Sequence, residues 1–176
     1  MKILCSGNPL HKTIASGIKQ VYPNAEFASR STGFDLRFWD DGSERFFREK
    51  ILNYNVFINS SFICKWGQQQ ILETVVEEWK NNGIKGHVVN IGSSAEFDGV
   101  INSKHGDYSL QKNALKGRGL QLNNKNGIRV THITVGGIND GKPGHEHWID
   151  PLEVAELIKW VLERDQKTTI AQVTLL

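Results

Sequence analysis

Cysteine is scarce in this sequence: Cys5 and Cys64 are the two thiols, far apart along 176 residues. That spacing supports neither a disulfide framework nor a thiolate metal site. Charge of one sign is equally scarce. With 21 basic against 19 acidic residues the formal net charge is +2, and no basic run with interleaved aromatics occurs, which argues against a nucleic-acid partner. Long apolar runs are absent too. None approaches the ~20 residues that span a bilayer, so no membrane partner is expected. The opening "MKILCSGNPL" lacks the length and flanks of a signal peptide, and the chain reads as soluble and cytoplasmic. No linker, repeat or low-complexity tract interrupts residues 1–176, which predicts a single domain.

What is present is ordinary globular composition: 39% hydrophobic and 23% charged residues, with five tryptophans and eight phenylalanines. A chain of this length buries roughly 70% of its unfolded surface, enough for one real core. Short β-prone runs alternate with amphipathic helical patterns, which predicts an α/β fold: a Rossmann-like doubly wound parallel sheet in three layers. Strands are expected at "KILCS", "AEFAS", "FDLRF", "YNVFINSS", "HVVNIGSS", "IRVTHITV" and "IAQVTLL". Helices are expected at "KTIASGIKQVY", at "SERFFREKIL" with Phe46, Phe47, Ile51 and Leu52 on one stripe, and at Gln68–Asn81 with Gly83 as its left-handed cap. Two more follow, over Tyr108–Leu122, with Leu110, Ala114, Leu115 and Leu120 available for burial, and in "PLEVAELIKWVLER", opened by Pro151 after an Asp150 N-cap.

In open parallel sheets, ligands bind outside the carboxyl ends of the strands. Gly7, Arg30, Asn59, Ser93 and Gly136 each fall just after or at the end of a predicted strand, and Tyr108 opens the helix after one of them. Tyr108 and Lys112 stand four residues apart in "DYSLQK", so on a helix they share one face.

Read in order, "VVNIGSS", "YSLQK", "GIRVTHITVGGI" and "PLEVAELIKWVL" resemble the short-chain dehydrogenase/reductase family, most strongly from Val88 to Leu162. "VFINSS" stands where that family usually has an Asn-Asn-Ala-Gly segment. The resemblance implies an NAD(P)-dependent oxidoreductase that interconverts a carbonyl and an alcohol. In it Ser93 is the oxyanion donor, with Ser94 in register after a one-residue shift, Tyr108 the acid/base, and Lys112 its activator and cofactor anchor. A phenol of pKa ~10 is a poor proton donor and acceptor at neutral pH, and a neighbouring ammonium lowers that value.

For the cofactor, the resemblance places Gly7, Asn8, His11 and Lys12 at the first turn, Arg30, Ser31 and Asp35 around the adenosine, and Asn59 and Ser60 beside a ribose. Tyr108, Lys112, Gly136 and Ile138 lie at the nicotinamide. Arginine after the second strand accommodates an extra phosphate, so NADP(H) is expected over NAD(H). The turn "SGNPLHK" departs from the family: it keeps Gly7 alone, and Pro9 offers no N–H. The family's auxiliary asparagine has no evident counterpart, a gap-free count landing on Lys65. The segment between Ser61 and Val88 is short, which predicts that a crossover helix is reduced or absent where a subunit contact commonly forms; the resemblance implies a homo-oligomer, dimer or tetramer. His145 and His147 sit at i and i+2 with no third ligand, so no metal is expected. The alternative is a catalytically silent nucleotide-binding or scaffold protein on the same fold. A flavodoxin-like or response-regulator domain explains the alternation but not the Ser-Tyr-Lys order.

Overall fold

Alternating apolar runs and helical stripes produce the expected layers. The computed structural model describes residues 1–34, 41–61, 66–97, 106–165 and 167–176, with the backbone alone for Asp41 and Gly106. Six strands form one parallel sheet: β1 (Ile3–Ser6), β2 (Glu26–Ala28), β3 (Val56–Asn59), β4 (His87–Ile91), β5 (Arg129–Val135) and β6 (Gln172–Leu175). Their order across the sheet is β2-β1-β3-β4-β5-β6, every neighbouring pair parallel. The chain leaves β1 in one direction to make β2 and returns past it to make β3. The order therefore reverses between β1 and β3, where such sheets open a crevice at their carboxyl ends.

Five helices cover the two faces: α1 (Ile14–Val21), α2 (Asp41–Ile51), α3 (Gly67–Asn81), α4 (Gly106–Leu122) and α5 (Pro151–Leu162). Period-2 alternation divides the strands' side chains between two apolar clusters. Ile3, Cys5, Ile58, Val89 and Ile133 meet α1 and α5 on one face; Leu4, Phe57, Val88 and Val130 meet α2, α3 and α4 on the other. Removing a fully buried ring such as Phe57 costs about 3–5 kcal/mol. Asp150 caps α5 as expected, its Oδ1 accepting from Leu152 N at 2.8 Å, with Pro151 in the first turn. Helices α1 and α5 pack so closely that a Cβ on Gly17 would sit 2.2 Å from the Pro151 carbonyl oxygen.

Several expectations are corrected. Phe34 starts no strand: Ser29 opens a short 3-10 turn over Arg30–Thr32, and Phe34 N donates back to Ser29 O at 2.8 Å. The ring then packs against Phe46 and Phe47, while the rest of "FDLRF" lies outside the described residues. The crossover from β3 to β4 keeps its helix: α3 runs 15 residues and buries Ile71, Leu72, Val75, Val76 and Trp79. On α4 the inward stripe is Ser109, Lys112, Leu115 and Gly119, so Leu110 and Leu120 face outward, 49% and 41% exposed. Among the described residues no helix is long and apolar enough to cross a membrane.

Candidate active site

The first turn is shaped by a residue without a side chain. Gly7 adopts φ +132°, and a Cβ there would lie 3.1 Å from Ala15 Cβ and 3.3 Å from the hydroxyls of Ser60 and Ser61. Only glycine holds this conformation without strain, and it lets β1 run directly into the crevice. Ser6, which no motif singles out, ties β1 to the segment after β3. Its Oγ accepts from the main-chain N–H groups of Ser60 and Ser61 at 2.9 and 3.0 Å, and Ser60 Oγ donates to the Ser6 carbonyl. Beyond Gly7, Asn8 Oδ1 accepts from Leu10 N, and Thr13 Oγ1 donates to the Asn8 carbonyl at 3.2 Å before α1 begins.

A cavity of about 400 Å³ opens at this reversal point. Gly7, Asn8, Lys12 and Thr13 line it from the first turn, Ser60 and Ser61 from the end of β3, and Ile138 and Asp140 from the loop after β5. That volume lies within the range of small-molecule sites. Of the residues assigned to cofactor from sequence, the cavity thus brings together Gly7, Asn8, Lys12, Ser60 and Ile138. His11 is exposed at the turn, and Arg30 and Ser31 are exposed after β2, with Ser31 Oγ 2.8 Å from Ser29 Oγ. Gly136 lies against Ile149 and Leu176, Asn59 is fully buried under the rim, and Asp35 and Lys65 fall outside the described residues.

A second set of polar groups gathers at the ends of β4 and β5. Ser93 follows β4, half-buried, its Oγ accepting from Ala95 N at 3.3 Å. Tyr108, half-buried, sits in the first turn of α4, and Lys112 Nζ is 5.5 Å from its ring centroid. Lys112 is 4% exposed; its ammonium donates to Ile91 O and to Gln68 Oε1, both at 2.9 Å. Burial pulls this ammonium's pKa down to about 8, with the charge of Glu96 opposing the fall.

Gln68 escaped sequence reading. It faces inward one turn before Ile71 and Leu72, and its Nε2 donates to Asn59 O at 2.7 Å and Ile91 O at 3.1 Å. Asn59 Nδ2 in turn donates to Gln68 O and Asn90 Oδ1. The available signal was a glutamine on the apolar stripe 68, 71, 75, three positions beyond Lys65.

Cys5 offers no nucleophile, since burial pushes its thiol up to about 12. In the loop after β5, His145 stacks on Trp148 with centroids 3.6 Å apart and lies 2.7 Å from Asp140 Oδ1. Hydrogen bonds from Lys142 and then His145 hold the Asp140 carboxyl well below the usual carboxylate range. Among the described residues no three His, Cys, Asp or Glu side chains group closely enough to hold a metal ion.

No family model matches the sequence, and no curated protein does. Solved structures do match, over nearly the whole chain. The 3-alpha-hydroxysteroid dehydrogenase from Pseudomonas sp. B-0831, crystallised with NADH, superposes with a TM-score of 0.74 at 13% identity, covering 100% of this chain and 95% of that one. The chain has the fold of the short-chain dehydrogenases. A metagenomic short-chain oxidoreductase in complex with NADP gives a TM-score of 0.71 at 14% identity, over 99% of this chain and 96% of that one. A short-chain dehydrogenase from Streptomyces avermitilis gives 0.71 at 16%, over 99% and 88%. In this short-chain dehydrogenase fold the cavity lies beside β1 and β3, and the buried lysine under the ends of β4 and β5.

Proposed function

We propose that the chain is a single-domain short-chain dehydrogenase/reductase that interconverts a carbonyl and an alcohol with NADP(H). One observation carries the reading: a lysine buried to 4% exposure beneath the rim, one helical turn from Tyr108 and fixed by two acceptors. Burying an ammonium is expensive and is rarely kept without a use.

The residues present fit a dinucleotide. Gly7 leaves the crevice floor bare, Lys12 meets a phosphate as a point charge, and Ser60, Ser61 and Ile138 line the rest of the cavity. Arg30 and Ser31 after β2 suit a phosphorylated adenosine ribose, which favours NADP(H) over NAD(H). When bound, the nicotinamide supplies or accepts the hydride at the carbonyl carbon. Tyr108 gives its hydroxyl proton to the carbonyl oxygen in reduction and takes it back in oxidation. Lys112 stabilises the phenolate left behind, while Ser93 donates a hydrogen bond to the developing oxyanion.

Fluorescence titration with NADPH and NADH tests this first. Micromolar binding with NADPH tighter is expected; binding of neither at millimolar concentration overturns the reading. The second reading, a dinucleotide-binding protein without turnover, is favoured by the first turn, where Pro9 lacks an N–H and the Thr13 hydroxyl is engaged by the Asn8 carbonyl. It is separated by a substrate screen with bound NADPH, in which oxidation of the cofactor by any carbonyl compound removes it.

A further inference from the structure

Among the described residues, Glu96 and Lys112 are the two side chains of the Asp, Glu, Lys and Arg types that are buried, 5% and 4% exposed. They lie under the same rim. Glu96 belongs to the 3-10 turn Ser94–Phe97 that follows β4, and Lys112 donates to Ile91, the last residue of β4. Side chains of α4 tie it to the main chain of that turn: Asn113 Nδ2 donates to Glu96 O at 2.9 Å, and Ser109 Oγ to Ala95 O at 2.6 Å.

The Glu96 carboxylate is held from β5. His132 Nε2 donates to Oε2 at 3.0 Å and Thr134 Oγ1 donates to Oε1, both donors fully buried. Residues 132 and 134 share a strand face, so one face of β5 supplies both bonds. Burial alone would raise this carboxyl, yet the two hydrogen bonds bring it below the ordinary carboxylate range. The clamp packs against the bare Cα of Gly92, where a Cβ would lie 2.2 Å from His132 Nε2 and 3.3 Å from Glu96 Oε2.

We propose that Glu96 is a positioning residue for Lys112: a buried carboxylate, clamped by His132 and Thr134, that serves as the counter-charge keeping the lysine an ammonium at neutral pH. A lone buried ammonium tends to lose its proton, and a buried carboxylate already held ionised by its own hydrogen bonds opposes that loss. Among the described residues, the groups around Lys112 include Tyr108 on its own helix, neutral Gln68 on α3 and the Ile91 carbonyl on β4, and Glu96 Oε2 lies 3.3 Å from where a Cβ would stand on Gly92, the residue after that carbonyl. The charges that act on the Glu96 carboxyl are His132 and then Lys116, on the next turn of α4. The catalytic value of the pair rests on the function proposed above; its electrostatics do not.

The test is NMR titration of protein labelled with ¹³Cε-lysine, the Lys112 signal assigned by Lys112→Arg. In the wild type Lys112 titrates near pH 8, and in Glu96→Gln its midpoint falls by about one unit or more. An unchanged midpoint in folded Glu96→Gln overturns the proposal. Should that variant not fold, the wild-type Glu96 carboxyl carbon decides: an inflection at the midpoint of Lys112 supports the pairing, and its absence overturns it. In catalysis, Glu96→Gln should move the alkaline limb of kcat/KM to lower pH while activity at pH 6 stays within about twofold; an equal loss at every pH overturns it. The NMR readout needs neither cofactor nor turnover, so failure of the proposed function leaves it standing.

Discussion

At the carboxyl ends of β1 and β3 the polar groups are small and partly wet: the hydroxyls of Ser6, Ser60 and Ser61, main-chain amides, the half-buried Asn8 and the exposed Lys12 around an open cavity. At the ends of β4 and β5 they are dry and include ions: Lys112 and Glu96, with the His132 imidazole against Glu96 and Gln68 between strand and helix. Groups open to water at the first rim exchange it for ligand at little cost. Buried ions at the second rim each need a partner, and removing one strands another.

The largest expected effect attacks the dry rim at its chemistry. Tyr108→Phe should lower turnover by roughly 10³-fold with NADPH affinity within about twofold, read by steady-state kinetics and fluorescence titration. A control sits at the opposite end of β4. His87 is buried against Thr131 Oγ1 at 2.8 Å, and burial followed by the charge of Arg129 lowers its pKa to about 4. The unfolded chain takes up this proton near pH 6.5 and the folded chain near 4, so stability falls as pH drops through that window. The loss is about 3 kcal/mol by its lower end, and urea unfolding between pH 7 and 4 should show this slope flattened in His87→Leu. Gln68→Leu should then cost about 2 kcal/mol of stability, because it leaves the Lys112 ammonium short of an acceptor, and should lower kcat more than it changes KM. Smallest is the wet rim: Arg30→Ala should weaken NADPH about tenfold and NADH hardly at all. Equal losses for the two cofactors would assign Arg30 no part in selecting between them.

How much of this was legible in the sequence follows the same division. Apolar strands such as "VFIN" and "HVVNI", the Asp150-Pro151 helix start and the five helices are local patterns, and they stand where reading placed them. Phe34 did not, because the turn capped by Ser29 reverses the chain just where a β-prone run begins. The inward stripe of α4 was obscured since two of its four members, Ser109 and Lys112, are polar, and an apolar count prefers Leu110 and Leu120. Gln68 and Glu96 were hidden for a deeper reason. Their partners lie 44 and 36 residues away, in Lys112 and His132, and no local period connects them. A histidine and a threonine two apart within the otherwise buried "IRVTHITV" were the one trace of that clamp.

The absent side chain at position 17 reaches further than its own helix. Its bare Cα lets the Pro151 carbonyl approach, and Pro151 ends the segment that starts from Gly136, which is cinched by Ile149 N to Gly137 O at 3.0 Å and Asn139 N to Ile149 O at 2.9 Å. Ile138 and Asp140 ride on that segment as one wall of the crevice. The width of the doorway is therefore gauged by a missing methyl outside it: give residue 17 a β-carbon and the hinge post shifts, resetting the entrance while every residue that lines it stays the same.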